Sequence, residues 1–539
     1  MCPLDAVLAT LGRAFERSGG WSRVKLHWLD GVMLALYLVG MAATGVYFAR
    51  RNRDTEEYFV GGRSLSGWVI GLSMVGTAIS SITFLSMPAD SFKTYWLRFL
   101  PYAMVPVAAL LAAIFFIPFF RDGRVTSAYE YLESRFGPSV RVYGALTYIL
   151  AQLLRVSLVL YLLALMLHQL TGIDERTCIL VCGVFVAAYT VAGGIDAVIW
   201  TDVVQTIILA SGSLICLGVI VHALPGGLGQ IFEVAARHEK FALGYEVGGE
   251  VVRMSWGFDL GDKTVPLMLM MSITYFLTEY ATAQHFVQRY CAARSTREAR
   301  KAMLTQVMVG IPTWLFYMFL GTSLFVFFQV FPAPEALEML DGTRRAEGIV
   351  PYFILNHLPV GVAGLVVAAA LAAGMSSLDS SINAVSTVGI VDIYRRHWAP
   401  GRDDRHYLRV AWGIAALASL SMLAGATWLL EAEGRTLQDT SIKLTSLLGG
   451  GLLGIYLLGF FTDRGDARSV WAGIACTFAF TSWTLGAFPE RFTVPFDTYY
   501  TAAIGNVVMF VVAYGLAGWL PRRERDLTGL TVWQRHPTS

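Results

Sequence analysis

The sequence predicts an all-α integral membrane protein of about thirteen transmembrane helices, and three observations predict it. The chain has 539 residues, of which 55% are hydrophobic and only 15% charged. Apolar runs of roughly 20 residues, the length a helix needs to cross the hydrocarbon of a bilayer, recur from Leu29 to Leu520. The charges collect between those runs, and every second gap is basic.

Taken in order, the spans are expected at about 29–49, 66–92, 98–120, 140–170, 176–192, 197–222, 264–288, 303–331, 358–393, 408–430, 437–461, 467–488 and 497–520. Arg50, Arg51, Arg53 and Arg63 follow the first. Arg121, Arg124, Arg135 and Arg141 follow the third, and Arg289, Arg294, Arg297, Arg300 and Lys301 the seventh. Arg395, Arg396, Arg402 and Arg405 follow the ninth, Arg464 and Arg468 the eleventh, and Arg522, Arg523 and Arg525 the last. The alternate gaps near 223–263, 333–348 and 431–442 are acidic or mixed. The positive-inside rule puts the amino terminus outside and the carboxyl terminus in the cytoplasm, which an odd number of spans also requires. Residues 1–28 read as an extracytoplasmic segment whose charges interrupt any signal-peptide core. Residues 29–520 read as one membrane unit, and 521–539 as a cytoplasmic tail too short for a signalling domain. The location expected is the cell membrane, with the chain acting as a monomer.

The composition excludes several classes. No basic tract offers itself to nucleic acid, and a net charge of +2 says little by itself, because sidedness matters more than the sum. The six cysteines form no C-x-x-C pair, so neither a disulfide framework nor a zinc site is expected. Cys178 and Cys182 share a helix face, where packing of small apolar residues is the reading. No H-E-x-x-H or haem-attachment motif points to an enzyme.

Two spans carry more oxygen than lipid tolerates. The second reads GLSMVGTAISSITFLSMPAD, in which glycines and Pro88 weaken the helix at membrane depth. Carbonyls freed near Gly76 and Ile79 suit a hard cation. The ninth contains LAAGMSSLDSSIN (371–383), where Ala373, Ser376, Ser377 and Ser380 fall at i, i+3, i+4 and i+7 on one helix face. That face and Asp379 must look at protein, a cavity or an ion. Small residues permitting close helix packing are the simpler account of either span alone; the pair favours a sodium site.

Charges inside the spans pose separate questions. Arg155, in TYILAQLLRVSLVLYLLALML, lies more than two turns from the nearest basic gap residue, Arg141. It either pairs with an internal acid such as Glu279 or Asp379, or forks onto the carboxylate of a solute. Asp202, at the start of the sixth span, reads by position as a helix cap and alternatively as a cation ligand. Glu279, near the end of the seventh, either lines a vestibule or pairs with a basic residue of the next gap, the latter being the expectation. His168 and His285 read as ordinary residues near span ends. Gly449–Gly451, Gly454 and Gly459 read as sites of close helix contact or bending.

The motifs together resemble the sodium/solute symporter family over nearly the whole chain. They are AISSITFLSMPA (78–89), TSAYEYLESRFG (126–137), GGIDAVIWTDVVQ (193–205), QHFVQRY (284–290), AARSTREARKA (292–302), GMSSLDSSINAVSTV (374–388) and DIYRR (392–396). The resemblance implies a five-plus-five inverted repeat of the leucine-transporter type, here about 66–222 and 264–461. It implies sodium as coupling ion, held at a first site by the carbonyls of Gly76, Ile79 and Ala373 and the hydroxyls of Ser376 and Ser377. A second sodium is implied at Asp202, with Ser376, Asp379 and Ser380 near it; Asp379 stands where a serine is usual. Within the family, I-SSITF and the arginine of LLRVSLVLYL are similar to bacterial sialic acid symporters. That likeness puts a solute carboxylate on Arg155 and other solute contacts at Ala78, Ser80, Thr83 and Tyr102. Ala78 replaces a hydroxyl residue there, Arg98 and Tyr102 replace a phenylalanine and a glutamine, and Ala283 replaces the acid of a common TDQ motif. The function expected is sodium-driven import of a small organic solute by alternating access. An acidic sugar such as sialic acid is the first expectation, and a neutral sugar with Arg155 paired internally is the alternative.

Overall fold

The apolar runs become helices, and breaks in them fall where glycine or hydroxyl residues interrupt the pattern. The computed structural model describes residues 27–50, 54–123, 125–247, 250–431, 450–486, 494–520 and 526–534. The amino-terminal segment up to residue 26, the first half of the 437–461 span with Gly449, and Arg51, Arg53, Arg124, Arg522, Arg523 and Arg525 lie outside them. Helix α1 (Trp28–Ala49) is followed by α2 (Gly67–Ala78) and α3 (Ser81–Lys93), two halves of the second span bent by 58°. Helix α4 (Trp96–Asp122) begins as a 3-10 helix and contains a π turn at Ala112–Phe116. Helices α5 (Pro138–Thr171) and α6 (Glu175–Ala223) complete the first half.

After a short helix α7 (Gly227–Arg237) and a hairpin of β1 (Gly244–Val247) with β2 (Glu250–Arg253), α8 (Val265–Thr282) and α9 (Gln284–Ala292) follow, separated by Ala283 in extended geometry. The loop at 223–263 therefore carries regular structure that its glycine-rich sequence did not announce. Helices α10 (Thr296–Val330), α11 (Val362–Trp398), α12 (Asp404–Glu431), α13 (Leu452–Phe461), α14 (Ala467–Thr484) and α15 (Thr501–Trp519) follow.

Among the described residues, eight helices are long and apolar enough to cross a membrane, or nine with α2 and α3 counted as one bent span. The expected count was higher for physical reasons. Helix α6 runs 49 residues, which at 1.5 Å each is about 74 Å, more than twice the hydrocarbon thickness. It is interrupted at Gly194, where φ is 64° and ψ −169°, a conformation that glycine adopts without strain. Helices α8, α13 and α14 are too short or too polar to count by themselves.

Helix α11 is the centre of the bundle. Every residue from Val366 to Ile390 is buried, and α11 makes with α6 the most extensive helix pair of the structure. The sequence announced one protected face, whereas Val366–Ile390 is surrounded by protein on every face. Asp30 of α1 fixes its start: Oδ1 accepts from the backbone N–H groups of Gly361 (2.7 Å) and Gly364 (2.8 Å), orphan donors of a helix amino terminus. At the other end of α11, Asp392 accepts from Arg141 (2.6 Å) and Ser127 (2.5 Å), while Glu133 accepts from Arg141 and Arg396. Partial burial acts to raise the Glu133 carboxyl, yet the two arginines leave it below the usual carboxylate range. Arg135 and Arg141, read as loop charges, are in fact buried; Arg135 donates to the carbonyls of Gly459, Thr462, Arg464 and Gly465. Lys240, reaching in from the loop, donates to the Phe92 (2.8 Å) and Thr94 (3.1 Å) carbonyls and so holds the end of α3.

Candidate functional site

The second span breaks because two residues leave helical geometry. Ile79 has φ −99° and ψ 103°, and Ser80 has φ −101° and ψ 177°. Carbonyls in the last turn of α2 thereby lose donors that a continuous helix would supply. Helix α11 meets them. Ser376 Oγ donates to Gly76 O at 2.8 Å and to Ala373 O at 3.3 Å, and Ser377 Oγ donates to Thr77 O at 3.2 Å. Both serines are at most 2% exposed. The structure thus brings Gly76, Ala373, Ser376 and Ser377 together, with Ile79 at the break beside them. Glycine is required at 76, since a Cβ there would meet Thr206 Oγ1 at 2.7 Å and Asp202 O at 3.3 Å.

One helix face away lies an ion pair that the sequence concealed. Arg289 is buried, not a loop residue, and its Nη2 donates to Asp202 Oδ2 (2.7 Å), Ser380 Oγ (2.7 Å) and Thr77 Oγ1 (2.8 Å). Its Nε donates to Ser73 Oγ (2.9 Å) and its Nη1 to His285 O (2.7 Å). Ser73 Oγ completes the cluster with a 2.5 Å bond to Asp202 Oδ2, whereas Asp202 Oδ1 has no hydrogen-bond partner among the described residues. Asp202 is therefore not a helix cap: it sits inside α6, two turns beyond Gly194, and its charge is met by Arg289. Asp379 is equally buried and accepts from Tyr189 OH at 2.8 Å, with a longer contact of 3.4 Å from Ser380. No cation is bonded to it among the described residues.

Arg155 of α5 is half-buried and makes neither a hydrogen bond nor an ion pair among the described residues. Its pairing with Glu279 or Asp379, one of the two sequence readings, is absent. Glu279 instead contacts His285 Nε2 at 3.3 Å rather than a basic loop residue. His285 itself is 1% exposed, not interfacial, and shares its Nδ1 with Tyr148 OH at 3.1 Å. His168 lies half-buried near the end of α5, beside Glu175. Ser80 and Thr83 are buried at the break, and their side chains make no hydrogen bond among the described residues. Tyr102 packs with its ring centroid 4.5 Å from that of Trp314 and 5.8 Å from that of Phe276; Ala78 is partly buried against the core. Nearby, Arg98 is ion-paired with Asp90.

Sequence reasoning missed Ser73, Thr77, Tyr189 and Arg289. Ser73 and Thr77 stand one turn apart in the same oxygen-rich span, which is a usable signal. Arg289 lies in QHFVQRY, where the basic residues after it disguise it as the first of a loop cluster. No group of three or more His, Cys, Asp or Glu suited to a metal occurs among the described residues.

A family model described as the sodium:solute symporter family matches residues 58–475. The sodium/sialic acid symporter SiaT of Proteus mirabilis is 32% identical over 458 residues, covering 84% of this chain and 89% of its own. The sodium/sialic acid symporter NanT of Aliivibrio fischeri is 31% identical over 487 residues, covering 90% and 92%. A solved structure of a sodium-coupled sialic acid symporter, in a substrate-bound outward-open state, superposes with a TM-score of 0.83 at 30% identity, covering 92% of this chain and 98% of that one. The chain belongs to the sodium:solute symporter family and is a sodium-coupled symporter of a small organic solute.

Proposed function

We propose that this protein imports a carboxylate-bearing sugar, sialic acid or a close analogue, with Arg155 holding the carboxylate. The observation that carries the reading is the guanidinium of Arg155, half-buried in a span and without a hydrogen bond or ion pair among the described residues. A charge so placed costs several kcal/mol unless an anion or water meets it, and a solute carboxylate supplies two parallel acceptors. Ala78, Ser80, Thr83 and Tyr102 would complete the contacts around the broken span. A neutral sugar requires Arg155 to be satisfied internally, which the missing pairs with Glu279 and Asp379 disfavour. The SiaT and NanT relatives, both described as sodium/sialic acid symporters, support the same class. Competition for sodium-driven uptake in proteoliposomes, using a panel of sugar acids and neutral sugars, tests it. Displacement by neutral sugars alone would refute the carboxylate reading.

The coupling ion belongs at the break. Carbonyls of Gly76, Ile79 and Ala373 with the hydroxyls of Ser376 and Ser377 make an all-oxygen set for a hard monovalent cation. Sodium there would draw α2 against α11 and favour the outward-open state, from which solute occupancy permits rocking to inward-open. Removing one ligand leaves the others in place. Ser377→Ala is therefore expected to raise half-saturating sodium by about tenfold or less while a maximal rate is still reached. An unchanged sodium curve counts against the site.

The second sodium would use Asp202, Asp379 and Ser380. Asp202 Oδ2 and the Ser380 hydroxyl already accept from Arg289, so these residues do not fit a second sodium while that ion pair stands. The coupling ratio proposed is one sodium per solute, with a Hill coefficient for sodium near one. A coefficient near two, measured from initial uptake rates, would overturn that ratio. The thirteen-span topology is retained, with repeats at about 66–222 and 264–461, the amino terminus outside and the carboxyl terminus cytoplasmic. The working unit proposed is a monomer in the cell membrane that binds no nucleic acid.

A further inference from the structure

We propose that Glu279 is the second pole of the solute site, so that the transported molecule is elongated, with its carboxylate at Arg155 and a hydroxyl-bearing tail at Glu279. The inference rests on the assignment of Arg155 and adds to it a length and an opposite end.

Tyr148 and Arg155 are seven residues apart on α5. Seven residues bring a helix back to the same face, about 10 Å further along its axis. At the Tyr148 level the phenol holds His285 twice, through Nδ1 at 3.1 Å and through the backbone N–H at 3.2 Å. His285 Nε2 in turn lies 3.3 Å from Glu279 Oε2. Glu279 thereby stands, through Tyr148 and His285, by the face of α5 that also carries Arg155. The two charges lie within electrostatic reach of each other but form no ion pair. Tyr275, one turn before Glu279 on α8, is 62% exposed although it lies within electrostatic reach of Glu279, Arg155 and Tyr102 together. Tyr102 packs with Phe276 and Trp314 in an aromatic group one turn from Glu279 on α8.

The exposure of Glu279 also separates this reading from a merely structural one. A counter-ion for His285 alone would be enclosed with it. His285 is 1% exposed, while the Glu279 side chain is 27% exposed and has no other bonded partner among the described residues. A carboxylate presents acceptors only, so its complement is a donor group. A short monocarboxylate or an inorganic anion reaches one pole and leaves the other untouched. An elongated polyhydroxylated acid reaches both.

The test uses the full chain in proteoliposomes under a sodium gradient. The probes are N-acetylneuraminic acid and its seven-carbon analogue, in which periodate cleavage followed by reduction has shortened the polyol tail. Glu279→Gln is expected to raise KM for the full-length acid by about tenfold, the loss of one charge-assisted hydrogen bond, with kcat little changed. The same change is expected to leave the shortened acid within about twofold, and Glu279→Asp to recover part of the loss. Arg155→Ala is expected to abolish uptake of both. An equal effect of Glu279→Gln on the two acids, or no effect on either, overturns the Glu279 assignment and leaves that of Arg155 standing. Wild-type uptake of neither acid overturns both. Retention of the sodium-induced rise in Tm reports that the Glu279 variants are folded.

Discussion

Arg155→Ala is expected to lower kcat/KM for a carboxylate solute by at least about a hundredfold, a loss near 3 kcal/mol. The size follows from what the guanidinium faces. A charge-assisted, two-pronged contact to a carboxylate is the strong kind of hydrogen bond, and its removal inside a membrane leaves the anion with nothing to replace lost water. Arg155→Lys should fall between wild type and alanine, because an ammonium keeps the charge and loses the fork. Stability makes the expectation specific. Arg155 bonds to no described residue, so the alanine variant should unfold at the same temperature as wild type or slightly higher. Initial rates of labelled sialic acid uptake, measured beside detergent unfolding midpoints, check both halves. Wild-type-like uptake refutes the role. Loss of uptake together with an equally large loss of Tm would make Arg155 a structural residue instead.

The oxygen-rich break and the serine face opposite it were legible because each is a local pattern. Glycines, hydroxyls and Pro88 within an apolar run announce a weakened helix, and Ser376, Ser377 and Ser380 share a face by spacing alone. The polar cluster around Arg289 was not legible, because its logic is distributed over four elements. All nine residues of α9 are buried, yet the segment reads QHFVQRYCA, far too polar for a span. It is buried because each polar group meets another brought from elsewhere. Gln288 Nε2 reaches the Phe59 carbonyl at 2.6 Å and Asn383 Oδ1 at 2.8 Å, and Gln284 bonds to Thr126 O and Ala128 N–H. Hydropathy counts composition along the chain and cannot see such partners. Asp202 was misread for a related reason. The sixth apolar run opens just before it, which suggests a helix start, whereas Gly194 redirects α6 without ending it and leaves Asp202 in the interior. Sequence analysis left Arg155 between two readings because the absence of a partner is a three-dimensional fact.

Arg289→Ala is expected to be the most destabilising of these substitutions, by about 3–5 kcal/mol. The estimate does not value the ion pair at that figure. Burying both charges has already consumed most of their mutual attraction, and the intact pair is worth far less than the cost of breaking it. The loss arises because Asp202, 0% exposed, would keep its charge with only Ser73 and Thr77 as donors. Replacing both partners by neutral isosteres, Asp202→Asn with Arg289→Gln, should therefore recover much of the stability lost by the single change. Unfolding midpoints of Asp202→Asn, Arg289→Gln and the double of the two would then give a coupling of at least about 2 kcal/mol. Sodium sharpens the test. If Arg289 stands where another cation would otherwise sit, Arg289→Ala opens Asp202 Oδ2 and the Ser380 hydroxyl to sodium. Its Tm should then rise with sodium over a range in which wild type has already levelled off. The double variant, without the carboxylate, should lose that extra dependence and keep the response of the first site. Identical sodium curves for all three proteins would mean that Arg289 holds the helices together without occupying an ion's place, and the one-sodium coupling ratio would lose its structural basis.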